Sequence, residues 1–280
     1  MANNFCKYFS NIGPNLAAKR APSSANFEDY LMSPLYQPLG FRPLVSEELK
    51  EIVHTFATGK APGFDKIPTR IIKLTIEIIV EPLTKVIKLS SESGCSPDTL
   101  KIAKVLLIFK SGDPERKENY RPISILTAFS KLYERVVYNG IYILYLTDFN
   151  LLYNNQFGFR RHHSASSIIN KETAVRVFLD LSKAFDTIDH QIVLKKLHHY
   201  AIRGQTHDWI SSYLTNRQQF LQFGTTRSRL EPIIMIPIIL TSFLILLILF
   251  FLIIIKFIRT IHGIMETTVH TIAELISSSL

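Results

Sequence analysis

The chain has 280 residues, with 32 Lys and Arg against 23 Asp and Glu, yet its mean hydropathy is positive at +0.16. A hydrophobic content of 47% excludes disorder as the dominant state, and two cysteines, Cys6 and Cys95, cannot build a disulfide framework. Beyond Pro232 the only charged residues are Lys256, Arg259, Glu266 and Glu274, so the whole excess of +9 sits on residues 1–232, a body fit for a polyanionic partner.

The N-terminal MANNFCKYFSNIG lacks the basic start, apolar middle and small-residue cleavage site of a secretory signal, so the chain is expected not to be secreted. Residues 11–43 mix Pro14, Pro22, Pro34, Pro38 and Pro43 with Gly, Ser and Asn, which reads as an irregular connector. A helix is expected from Ser46, as N-cap, with Glu47 and Glu48 in the first turn and Leu49, Ile52, Val53 and Phe56 on one face. Gly59, Pro62 and Gly63 end it. A second helix is expected over 69–90, and Val105 to Phe109 reads as a buried strand running into the turn residues Lys110 to Pro114. VRVFLDL at 175–181 reads as another buried strand, and Asp189 as the cap of a helix with Val193, Leu194, Leu197 and Ala201 on one face. Strands and helices interleave, so the body is α+β.

Asp180 ends an apolar strand and would cost several kcal/mol to bury unpaired. Asp186 follows six residues later. Two accounts fit that spacing: a strand-end carboxylate in a cap or salt bridge, or a hard oxygen ligand for Mg²⁺.

Five blocks of sequence, taken together, resemble the reverse transcriptase domain of non-LTR, LINE-like retrotransposons. Gly59-Lys60-Ala61-Pro62-Gly63-Phe64-Asp65 is similar to the family's GKAPGPDGI block, with Phe64 in place of Pro and Lys66 in place of Gly. Lys101 to Val105, Lys110 to Pro114 and Asn119 to Ser124 resemble its fingers region, and Gln156-Phe157-Gly158-Phe159-Arg160 its QxGFR block. FLDLSKAFDTIDH at 178–190 resembles polymerase motif A, and Trp209 to Leu214 with Asn216-Arg217-Gln218 the segment after it.

The resemblance implies an incomplete right-hand polymerase, fingers and part of the palm, over 44–230, with 1–43 as its connector. It implies Mg²⁺ as cofactor, Asp180 as the catalytic and first metal-binding carboxylate, and the carbonyl of Leu181 as a second ligand. Lys110 and Arg121 would grip the incoming triphosphate as point charge and planar fork. Phe185 would lie under the sugar, where a 2′-hydroxyl clashes. Gln156, Gly158, Arg160 and Arg161 would face the RNA template and DNA primer. The structural alternatives are a core Phe at 185 and solvated turns at the cations.

Beyond Leu230 the family continues with G-x-P-Q-G and [FY]ADD blocks, and neither is present; no Asp occurs after Asp208. In their place residues 231–280 form an oily tail in which 233–255 carries no charge and has the length of a helix spanning a bilayer core of about 30 Å. Three functions follow as expectations. The first is an RNA-directed DNA polymerase domain fragment, inactive without the missing blocks; the second, a nucleic-acid-binding fragment without chemistry; the third, a single-pass membrane protein carrying a relic polymerase domain. The chain is expected in a membrane if 233–255 inserts, and otherwise in cytoplasm or nucleus. Nothing in the sequence points to a protein partner.

Overall fold

In the computed structural model of the chain the residues described are 2–19, 41–140 and 189–233. The expected strand at 175–181 lies outside them, as does all of the expected spanning helix 233–255 except Ile233. Among the described residues no helix is long and apolar enough to cross a membrane.

The elements are α1 (Ala2–Ala17), α2 (Ser46–His54), α3 (Thr69–Ser93), β1 (Ile102–Phe109), β2 (Tyr120–Ile125), α4 (Ala128–Tyr138), α5 (His190–His199), α6 (Gly204–Leu214), β3 (Gln218–Phe223), β4 (Thr226–Arg227) and β5 (Glu231–Pro232). The described body is therefore a mixed α and β fold with a partial sheet, consistent with a fingers and palm fragment. β1 lies between β2, antiparallel to it, and β3, parallel to it, and β4 and β5 both return antiparallel along β3. A parallel pair needs a long crossover, and α4, α5 and α6 belong to the one joining β2 to β3.

α3 is the axis of the larger core. Its Ile72, Ile76, Val80 and Ile87 pack with Leu49, Ile52 and Val53 of α2, Leu132 and Val137 of α4, Leu197 of α5 and Trp209 of α6. Burying each such side chain contributes about 1.5–3 kcal/mol. Gly94, at φ 65°, stops α3: its N–H donates to the Ser91 carbonyl and that of Cys95 to the Ser90 carbonyl, a paired closure that spares the last carbonyls from desolvation. Ser90 then ties the helix to α6 by accepting from Trp209 Nε1 at 2.9 Å.

Two expectations change. Ser46 is the first residue of α2 and makes no side-chain cap; Val45 occupies the N-cap position. The acidic first turn, Glu47 and Glu48, supplies the favourable charge at that end instead. In the expected connector, residues 2–17 are a helix that carries Pro14 within it. Ala2, Phe5 and Cys6 of α1 bury themselves against Val105 of β1 and Leu221 of β3, so an apolar sheet face fixes a segment whose prolines argue for irregularity. Of the segment 11–43, residues 20–40 lie outside the described ones.

Candidate nucleotide and nucleic-acid interface

Lys110 and Arg121 are brought together by strand register. Ile108 pairs with Arg121 and Phe109 with Tyr120, and the Lys110 N–H donates to the Asn119 carbonyl at 2.8 Å, extending the ladder by one step. Side chains alternate along a strand, so Lys110 and Arg121 are diagonal neighbours on one face, a separation of about 7–8 Å in an antiparallel pair. Both are exposed, and neither is paired with a carboxylate among the described residues.

The loop joining the strands keeps two of its three acids, Asp113 and Glu118, occupied elsewhere. Asp113 accepts from the Glu115 N–H at 2.9 Å through a carboxylate oxygen, and Glu118 lies 3.8 Å from Arg116. Asn119 Nδ2 donates to the Asp113 carbonyl, and Tyr120 donates its hydroxyl to the Pro114 carbonyl, both at 2.9 Å. Gly112 turns at φ 90°, and a Cβ there would meet Asn119 Nδ2 at 2.8 Å. The arrangement leaves a primary ammonium and a guanidinium side by side, which suits an anion with several oxygens, such as a phosphate chain.

The other expected site residues, Asp180, Leu181, Phe185, Gln156, Gly158, Arg160 and Arg161, lie outside the described residues. Among the described residues no group of three or more His, Cys, Asp or Glu side chains is placed to hold a metal ion.

Sequence reading missed a buried polar network near the other end of β1, where Gln218 pairs with Ile102. Arg217 is only 1% exposed; its guanidinium lies 4.4 Å over the ring of Tyr213, and Nη1 donates to the Tyr213 carbonyl at 3.3 Å. Tyr213 in turn donates its hydroxyl to Oε1 of buried Glu134. Burial holds the Tyr213 hydroxyl well above its ordinary pKa, so it stays a donor. The only sequence signal was the position of Arg217 between Asn216 and Gln218 in a recognisable block; nothing in its charge announced burial.

Residues 108–232 match the family described as reverse transcriptase (RNA-dependent DNA polymerase). That stretch is thus similar to reverse transcriptase sequence, and the relatives the chain matches carry the names of RNA-directed DNA polymerases from mobile elements. Within the class, the chain is 31% identical over 182 residues to the probable RNA-directed DNA polymerase from transposon BS of Drosophila melanogaster, covering 60% of this chain and 20% of that one. It is 29% identical over 248 residues to the RNA-directed DNA polymerase from mobile element jockey of the same fly, covering 83% of this chain and 26% of that one. For the probable enzyme from transposon X-element the identity is 27% over 217 residues, 72% of this chain and 23% of the relative. The chain thus spans about a quarter or less of the length of these relatives.

Proposed function

We propose that this chain is the fingers and part of the palm of an RNA-directed DNA polymerase, able to bind a nucleoside triphosphate and a template-primer but not, by itself, to extend the primer. The observation that carries the reading is the diagonal pairing of Lys110 and Arg121 on one face of the β1–β2 hairpin, free of carboxylates among the described residues. In this reading the two cations take the triphosphate, Gln156, Gly158, Arg160 and Arg161 track the nucleic-acid backbone, and Phe185 packs under the sugar. Asp180 and the carbonyl of Leu181 would hold Mg²⁺, which supplies charge neutralisation at the transferring phosphoryl group. A second carboxylate site has no candidate, since no Asp follows Asp208 in this sequence.

The test is a pair of assays on the purified chain. Primer extension on an RNA template with Mg²⁺ or Mn²⁺ is expected to give no product, and incorporation abolished by Asp180→Ala would refute the inactive reading. Binding of an RNA/DNA hybrid is expected to weaken steeply with salt, Arg160→Ala and Arg161→Ala each to lower the salt slope by about one, and Lys110→Ala and Arg121→Ala to weaken nucleoside triphosphate binding instead. Binding indifferent to salt would refute the reading altogether.

A further inference from the structure

α3 is apolar on two opposite sides. Ile72, Ile76, Val80 and Ile87 face the core. On the other side Ile71, Leu74, Ile78, Val86 and Leu89 are exposed by 42, 74, 81, 50 and 55%. With Pro82, also exposed, they recur at three- and four-residue intervals and form one stripe about 27 Å long. Single exposed apolar side chains are ordinary on a protein surface, whereas a continuous stripe of this kind marks an interaction site.

We propose that a second copy of this chain docks on the stripe, α3 against α3, antiparallel about a two-fold axis beside Pro82. The charges along one flank decide the occupant. In chain order they run Arg70, Glu77, Glu81, Lys85, Lys88, Glu92, a base and two acids before Pro82 and two bases and an acid after it. In an antiparallel pair each flank meets its own counterpart in reverse, so this order is complementary to itself. With the axis at Pro82, Ile78 meets Val86 of the second copy and Leu74 meets Leu89, while Glu81 faces Lys85 and Glu77 faces Lys88. The interface is isologous, so every contact occurs twice and the assembly closes as a dimer. A parallel two-fold pairing would set this flank against the opposite flank of α3 and bring none of these charges together. Glu77 also holds Lys50 of α2 at 2.6 Å, whereas Glu81, Lys85 and Lys88 form no ion pair among the described residues. An oily segment such as 233–255 could cover apolar side chains, but it carries no charge to answer this flank.

Disulfide trapping in the full chain tests the geometry. Cys95 is exposed and Cys6 buried, so Cys95→Ser provides the background. Pro82→Cys places thiols at the axis, within reach of the 4.4–6.8 Å Cα separation of a disulfide, and is expected to give a covalent dimer on mild oxidation. Ile71→Cys, far from the axis, is not. In the Pro82→Cys chain, Glu81→Lys is expected to weaken dimerisation by about tenfold, two symmetry-related attractions becoming repulsions. Adding Lys85→Glu is expected to restore it. These side chains point away from the core, and an unchanged circular dichroism spectrum checks that each variant folds. Failure to trap through position 82, equal trapping through 71, or no rescue by the double reversal overturns the proposal. So does a monomer in which the thiol at 82 resists alkylation, as it would beneath 233–255 or a different protein.

Discussion

Gly63 lies so close to Thr127 that a Cβ on the glycine would sit 2.6 Å from the threonine Cα. The contact is backbone on backbone, with the Leu126 carbonyl carbon at 2.9 Å, so no side chain can swing aside to make room. It locks the loop after α2 onto the start of α4, where Thr127 caps the helix by accepting from the Ser130 N–H. Gly63→Ala is therefore expected to destabilise the fold by about 1–3 kcal/mol, the usual cost of overpacking. Urea denaturation measures it, and an unchanged midpoint would show that the close approach does not exist in solution.

Lys66 sits in the left-handed region at φ 59°, in the same loop. The position is the one at which the chain departs from the GKAPGPDGI block by carrying Lys instead of Gly. A side chain in that conformation costs about 1 kcal/mol or somewhat more. Lys66→Gly should raise stability by about 1 kcal/mol, less what glycine adds to the freedom of the unfolded chain. A lower melting temperature for this variant would contradict the backbone geometry.

Tyr213→Phe removes a hydroxyl donor from the carboxylate of Glu134, which is only 2% exposed. Taking a donor away from a buried acceptor costs about 1–3 kcal/mol. Glu134→Gln in the Tyr213→Phe background should recover part of that loss, because the neutral amide tolerates burial better than an ion. Additive losses in the double-mutant cycle would show that the two side chains are not coupled.

His190 opens α5, and burial lowers its pKa from the ordinary value of 6.5, with the nearby Arg217 charge adding to the depression and Asp189 opposing it. A depressed folded pKa means that the unfolded chain binds the proton more readily. Stability is then full above about pH 6.5 and falls as pH drops through that value toward the folded pKa. Chemical denaturation between pH 7 and 5 should show this decline, and His190→Gln should flatten it. An equal slope in the variant would assign the decline to other groups.

Much of the local structure was legible before any coordinates. Apolar spacing located α3, and the five apolar residues Val105 to Phe109 located β1, though only Val105 of them is buried and Ile108 and Phe109 are exposed; Asp189 caps α5 as expected by accepting from the Gln191 N–H at 2.7 Å. Each of these depends on groups a few residues apart, so periodicity and cap chemistry suffice to reveal them. The residues grouped into family blocks were legible too, and the match over 108–232 takes in those from Lys110 onward, while Gly59 to Asp65 and Lys101 to Val105 precede it.

Contacts between distant parts of the chain were not legible in that way. Gly63 read as a helix terminator, yet what demands glycine there is Thr127, met only when the chain has folded back. Pro14 argued against a helix that α1 nevertheless keeps, because Phe5 and Cys6 gain burial on Val105 and Leu221. Arg217 stood in the sequence only as part of the Asn216-Arg217-Gln218 block, and its burial against Tyr213 is set by the fold. The sequence by itself determined which residues could form helices and strands and which carry charge, since those properties are set by local spacing and side-chain chemistry. Only the tertiary structure decided that Lys110 and Arg121 share one face, that Arg217 lies inside, and that α3 shows apolar surface on both sides, because strand register and burial depend on which distant segments meet.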